Sequence, residues 1–266
     1  MLTEITPLII TYDEAPNIRR TLDKLAWARR IVVIDSGSTD GTVEIMRCYP
    51  RVEVIPHPFT DFASQCNYGL SQIDTPWVLS LDADYELSDA LLRELASLQP
   101  ADDNAGYRAR FVYRIHGRPL RGTLYPPRTV LYRKSKACYR KEGHGHRVVV
   151  DGEVLTLDGV IYHDDRKPLA RWLKSQQLYA RDEADYLLER CAPLTRADRV
   201  RLMAWPAPLA VFFYTLLIKG CVFDGWPGWY YVLQRAFAEI LIALEIIDRR
   251  LRGNSAPASD PTDDVP

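Results

Sequence analysis

A chain of 266 residues with 47% hydrophobic and 26% charged side chains is long enough to bury a real core, in one large domain or one domain with an appendage. Its formal net charge of -1 gives no overall signature of nucleic-acid binding. The five cysteines, Cys48, Cys66, Cys138, Cys191 and Cys221, are far apart, odd in number and without a C-x-x-C pair, which argues against a disulfide framework or a zinc site and for a reducing compartment.

Met1 to Asn17 carries no basic n-region and turns polar too early for a signal peptide, so a cytoplasmic location is expected. From Thr6 to Leu98, short β-branched runs alternate with helical patterns. Thr6–Thr11, Arg30–Asp35, Val52–Pro56 and Trp77–Asp82 read as strands; Asn17–Ala28, Asp40–Tyr49, Ala63–Ile73 and Ser88–Leu98 read as the helices between them. That alternation predicts an α/β class, with right-handed β-α-β units around a parallel sheet and ligands beyond the carboxyl ends of its strands.

Between Tyr107 and Val160 the runs Tyr107–Ile115, Arg128–Lys134 and His146–Leu157, punctuated by Gly and Pro, predict mixed or antiparallel strands closing the site. Charge is uneven here. Arg108 to Arg147 holds 12 Lys or Arg against the single acid Glu142, which predicts an anionic ligand or surface. Past Pro168 the pattern is helical, over 169–190, 196–205, 208–223 and 229–252, and the tail from Gly253 is Pro, Ser and Asp rich and reads as disordered.

Two strands run straight into acids. The first ends at Asp35 and continues as "SGSTDGT", a small-residue turn before a helix capped by Thr39 or Asp40. Two readings stand for Asp35: a turn and N-cap residue, or an acceptor for ribose hydroxyls or a base N–H. The fingerprint G-x-G-x-x-G is absent, so a dinucleotide fold is not supported. The second strand runs into "LDADYE", which in an extended segment puts Asp82, Asp84 and Glu86 on one face. Three such acids repel one another unless a hard divalent cation, Mg2+ or Mn2+, joins them, or they are solvated ahead of a helix capped by Ser88.

The segments "ITYDEAPNIRRTLD", "VVIDSGSTDGT", "ASQCNYGL" and "WVLSLDADYEL", in this order and spacing, closely resemble family-2 glycosyltransferases of the GT-A fold. "RTVLYRK", the helical region and "IKGCVFDGWPGWYYV" are similar to the lipopolysaccharide-core β-1,4-glucosyltransferase subgroup. The resemblance implies a GT-A catalytic domain over 1–165, a helical subdomain over 166–252 and a tail over 253–266. It further implies an inverting, metal-dependent transfer of a hexose from a UDP-sugar, UDP-glucose by the subgroup, to a lipid-linked acceptor. Residue by residue, it gives Thr11, Tyr12 and Glu14 to the nucleotide, with Asp13 where Asn is usual, and Asp35 to the nucleoside. It gives Asp82 and Asp84 to the cation on the diphosphate, with Glu86 as a third ligand, and sets Gln65 and Asn67 near the donor.

A departing diphosphate needs its charge stabilised, and Arg108, Arg110, Arg128 and Arg133 are the candidate arginines. The acceptor hydroxyl needs a base. Where the subgroup reads His-Glu, this chain has His146 followed by Arg147, so Glu142, His144, His146, Asp164 and Asp165 all stand as replacements, and His163 is a further metal or diphosphate candidate. A polyprenyl-phosphate acceptor, itself an anion, needs no base, which keeps open a resemblance to dolichyl-phosphate mannosyltransferases. A non-catalytic polyanion binder and a nucleotidyltransferase are the readings from other classes.

The apolar run Pro208–Ile218 is short of the roughly 20 residues a spanning helix needs. Trp226, Trp229, Tyr230 and Tyr231 beside an apolar helix that ends in Arg249, Arg250 and Arg252 suit a lipid headgroup layer. The expectation is peripheral attachment to the inner face of the plasma membrane, with a core or homo-oligomer contact as the other reading.

Overall fold

The computed structural model describes residues 1–142, 145–189 and 194–253, and at 141, 142, 145 and 146 the backbone alone. The expected disorder past Gly253 and the candidate His144 lie outside the described residues. The chain forms two compact units, Met1–Pro168 and the remainder from Leu169.

In the first unit, β1 (Ile5–Thr11), β2 (Ile31–Asp35), β3 (Val52–Pro56) and β4 (Trp77–Asp82) are parallel neighbours in the order β3-β2-β1-β4. Both faces of the central strands are covered, which is why they read as continuous apolar runs instead of alternating. Ile9, Val33 and Leu79 join one core with Ile18 and Leu22 of α1 (Ile18–Asp23) and Met46 of α2 (Thr42–Arg47). Leu8, Val32 and Val78 join the other with Cys66 and Leu70 of α3 (Phe62–Ser71). Here α1 is half the helix that the pattern predicts over Asn17–Ala28, and the expected N-cap at Thr39 or Asp40 falls on Gly41, whose φ of 94° suits a residue without Cβ.

After Asp82 the backbone turns at Ala83–Asp84 and re-enters the sheet as β5 (Tyr85–Leu87). This turn breaks the two-residue alternation on which the shared face of Asp82, Asp84 and Glu86 rested. Next come α4 (Asp89–Ser97), capped by Ser88 as expected, then β6 (Asn104–Ile115), the two-residue β7 (Arg118–Pro119) and β8 (Arg128–Arg133). The run predicted over His146–Leu157 is two strands. The hairpin partner of β9 (Ala137–Glu142) is β10 (Gly145–Val150), while β11 (Glu153–His163) joins the main sheet. The sheet continues β4-β8-β6-β11-β5, with β8 antiparallel to both neighbours and β6 parallel to β11. It is a mixed, mainly parallel sheet flanked by helices.

Gly159 marks a shift of register between β11 and β6, where a Cβ would run into the Leu91 backbone of α4. Gly159→Ala should therefore destabilise the first unit by about 2 kcal/mol through overpacking, readable as a lower urea midpoint with an unchanged m-value.

The second unit is helical: α5 (Leu169–Glu189), α6 (Arg196–Leu202), α7 (Pro206–Phe213) and α8 (Gly225–Gly253). The helix predicted over 208–223 is interrupted. It passes from α7 into a π-helical turn over Tyr214–Ile218, stops at Gly220 in the left-handed region (φ 73°), and resumes as a 3-10 turn over Cys221–Asp224. Arg201 ties the unit together, reaching Glu239 at 2.6 Å and Glu183 at 3.1 Å.

Candidate active site

The strand pairings bring the two acidic strand ends to one edge. Thr11 pairs with Asp35 on one side of β1, and Ile10 pairs with Asp82 on the other. The two carboxylates thus sit two strands apart, about 10 Å along the edge, where α/β sheets bind ligands.

At the Asp35 end, the loops after β1 and β2 are laced together. Thr11 O accepts from Ser36 N (3.0 Å), Asp13 N donates to Ser38 Oγ (2.7 Å), Asp13 Oδ1 accepts from Thr39 N (2.7 Å) and Glu14 N donates to Thr42 Oγ1 (2.7 Å). Asp35 itself is buried and accepts from Gly37 N, Ser38 N and Ser38 Oγ at 2.5–3.0 Å, so its carboxylate shapes its own turn. Thr11 Oγ1 is buried with no hydrogen-bond partner among the described residues, and Tyr12 is 55% exposed beside it in sequence. Asp13, the departure from Asn, takes φ 52° and uses its carboxylate to clamp the second loop.

At the Asp82 end, the acids separate into three environments. Asp82 is half-buried and lines a cavity of about 430 Å3 together with Ser80, Tyr85, Arg108, Arg128, Tyr139 and Arg147. Asp84 is buried and meets His163 Nε2 at 3.0 Å. Burial works to raise the Asp84 carboxyl, but the charge and hydrogen bond of His163 outweigh it and bring it down to about 2. The same contact raises His163 against its own burial. Glu86, expected as a third ligand, is instead paired with Arg20 (2.8 Å) and Arg114 (3.6 Å), because the turn at Ala83–Asp84 sends it elsewhere.

Three arginines from three strands, Arg108 on β6, Arg128 on β8 and Arg147 on β10, line that cavity with Asp82. Arg128 also lies over the Tyr125 ring, 4.5 Å from its centroid. Arg147, which stands where the resemblance implies an acid, lines the same cavity.

Several expected contacts belong to the scaffold. Arg133 is at the far end of β8, opposite Trp77, and donates to Asn104 O (2.8 Å) and Ala101 O (3.1 Å), so it is remote from the edge where Asp82 sits. Asn67 spends both ends of its amide on the Tyr139 backbone, at 3.0 and 2.9 Å, and fastens β9 to α3. Buried Gln65 bonds Ser36, His57 O and the His57 ring. Arg110 donates to Asp158 O. Glu14, expected at the nucleotide, accepts from Lys167 Nζ (2.6 Å) and Asn17 Nδ2 (2.8 Å). The side chains of Glu142 and His146 lie outside the described residues.

A polar network that the sequence did not single out underlies Asp84. Asn17, fully buried, donates to Glu14 and Asp165 and accepts from Arg166 N and Arg20. Asp164, also buried, accepts from Gly117 N and the Arg166 guanidinium. Burial would lower Lys167, but Glu14, Asp84 and Asp165 around it prevail and hold it protonated. The two base candidates Asp164 and Asp165 are both committed here.

Among the described residues, no group of three or more His, Cys, Asp or Glu is arranged for a metal ion. Mg2+ is typically held by one or two carboxylates together with substrate phosphates; of the expected pair, Asp82 lines the cavity and Asp84 is engaged by His163.

The glycosyl transferase family 2 model matches residues 7–161. The chain is 25% identical over 274 residues to an uncharacterised glycosyltransferase of Rickettsia prowazekii, covering 97% of this chain and 92% of that one. It is 31% identical over 137 residues to the lipopolysaccharide core biosynthesis glycosyltransferase LpsC of Rhizobium meliloti, covering 49% and 48%. Among solved structures, S. aureus TarS in complex with UDP-GlcNAc is similar at 16% identity and a TM-score of 0.47, covering 97% and 94%.

Proposed function

The chain belongs to glycosyl transferase family 2 and is a glycosyltransferase, and from that premise we propose that it moves a hexose, glucose, from a UDP-sugar to a lipid-linked acceptor of the cell envelope, with inversion. The observation that carries this reading is Asp82 among Arg108, Arg128 and Arg147 at the carboxyl edge of the sheet. LpsC carries lipopolysaccharide core biosynthesis in its name, which supports an acceptor of that kind.

In this reading Asp82 and Asp84 hold Mg2+ or Mn2+, which when bound supplies charge against the departing diphosphate. His163 keeps Asp84 ionised and fixed. The arginines hold phosphate oxygens, which in a cavity partly shielded from water is worth more than at an open surface. Tyr12, exposed at the end of β1, offers its ring to the base.

Arg147 favours a second reading of the acceptor. A cavity with three guanidiniums and one described half-buried carboxylate suits a nucleophile that is itself an anion, such as a polyprenyl phosphate, which attacks without a base. The test is a thermal-shift and donor-hydrolysis panel of nucleotide sugars with and without Mn2+, followed by transfer to lipid-bearing sugars or to polyprenyl phosphate. Stabilisation by UDP that requires Mn2+ is expected. Arg128→Ala should weaken UDP binding about tenfold, whereas Arg133→Ala should leave it unchanged. UDP binding indifferent to the cation and to Arg128 would end the proposal.

We further propose attachment to the cytoplasmic face of the membrane through the broken helical segment. No single described helix is long and apolar enough to cross a membrane; Pro206–Ile218 and Cys221–Gly253 together are, but bent by 68°. Trp205, Ile218, Phe223 and Trp226 are 70–86% exposed, whereas Tyr231, expected at the interface, is buried at 1%. Between Leu202 and Gly225 the only charges are Lys219 and Asp224. Wedge aromatics of this kind suit the headgroup boundary. Phe223→Glu with Trp226→Glu should release the protein from floating liposomes while UDP binding persists; retention would refute the attachment.

A further inference from the structure

Arg147 reaches the cavity on a piece of chain that the main sheet does not hold. Among the described residues β9 and β10 pair with each other alone, Tyr139 opposite Val148 and Arg140 opposite Arg147. Alternation along β10 packs Val148 and Val150 against the core that α3 shares, and leaves Arg147 and Val149 exposed. A separate hairpin takes its register from whatever grips it, and a slip of one residue would exchange those two faces.

The grip falls on Tyr139. Asn67 of α3 accepts from Tyr139 N through Oδ1 (2.9 Å) and donates to Tyr139 O through Nδ2 (3.0 Å), so its amide stands where a neighbouring strand would pair. The Tyr139 ring is buried, and its hydroxyl donates to Ser80 Oγ (2.7 Å) and accepts from the Tyr132 hydroxyl (2.8 Å). Ser80 precedes Asp82 by two positions on β4, and Tyr132 follows Arg128 by four on β8. One residue thus ties the hairpin to α3 and to the strands that carry Asp82 and Arg128. Asn67 is itself exposed, where two hydrogen bonds add little to stability; what they fix is position.

We infer that Asn67 is a positioning residue for donor binding: through Tyr139 it sets the place of the β9–β10 hairpin and so holds the Arg147 guanidinium at the cavity. With both ends of its amide taken, Asn67 touches no substrate. The inference rests on the reading that this cavity receives the diphosphate of a UDP-sugar, and it makes the Arg147 share of that binding depend on α3.

The test is UDP affinity of the full-length protein with Mn2+, by calorimetry, in double-mutant cycles. Asn67→Ala should weaken UDP about fivefold and Tyr139→Phe about threefold, while the melting temperature of Asn67→Ala moves by less than about 2 °C. In an Arg147→Ala background, itself about tenfold weaker, both losses should shrink to less than about 1.5-fold. In an Arg128→Ala background, where the hairpin keeps its guanidinium, both should persist in full. A loss from Asn67→Ala that survives in Arg147→Ala, or that vanishes equally in Arg128→Ala, would mean a general loosening of the cavity and overturn the inference. So would an Asn67→Ala protein that binds UDP like wild type. Arg147→Ala with wild-type affinity beside a weakened Arg128→Ala would overturn it while leaving the proposed function standing; UDP binding indifferent to Mn2+ and to Arg128 ends both.

Discussion

Asp82→Asn is expected to lower the rate of sugar transfer by about a thousandfold while moving the melting temperature by less than about 2 °C. Asp82 separates function from stability better than its neighbours do. Asp84 is buried against His163, so removing its charge strands a raised histidine; Glu86 anchors two arginines. Asp82 is half-buried and lines the arginine cavity, and its side chain makes no hydrogen bond or ion pair among the described residues. A carboxylate left uncommitted among three guanidiniums contributes little to folding, and its charge is there for a ligand. Turnover should fall together with the Mn2+-dependent part of the stabilisation by UDP, because the variant removes the carboxylate and leaves the arginines untouched. Donor hydrolysis within threefold of wild type would remove Asp82 from the chemistry, and with it the cation.

The two acidic strand ends were legible because parallel strands covered on both faces are written as unbroken apolar runs, so their last residues stand out. Ser88 was legible as a cap because capping is local. What sequence could not supply was direction and distance. Arg128 and Arg133 bracket one strand and look alike until β8 is known to run against β4; then Arg128 lies at the carboxyl edge of β4 and Arg133 at the far end. Asn67 answers to Tyr139, 72 residues away, and no local pattern announces that. The shared face of Asp82, Asp84 and Glu86 failed because alternation presumes an unbroken strand, and the turn at Ala83–Asp84 instead leaves Glu86 paired with Arg20 and Arg114. Arg147 stands where the resemblance implies an acid, and only the pairing of β9 with β10 brings it to the cavity.

Asn17→Ala is the second large effect, and it falls on a residue that sequence reading assigned only to a helix start. Its side chain makes four hydrogen bonds, two of which, to Asp165 (2.9 Å) and Arg166 N (2.9 Å), join the loop after β1 to the segment His163–Lys167, and two of which stay local, to Glu14 (2.8 Å) and Arg20 (3.1 Å). Three of the four involve a charged side chain, and the site is closed to water. Truncation leaves those groups buried without their partner, a loss of about 3 kcal/mol or more, which for a unit of this size lowers the melting temperature by about 8 °C. Transfer should fall as well, by about tenfold, because the segment after His163 loses one of its ties to the loop after β1 while Lys167 still holds Glu14. Asn17→Asp discriminates between lost connection and lost volume. It keeps both accepting bonds but sets a third carboxylate against Glu14 and Asp165, so at neutral pH it should be less stable than Asn17→Ala and should recover as acid protonates the cluster. An Asn17→Asp protein as stable as wild type at neutral pH would show that these acids are not held together by the amide.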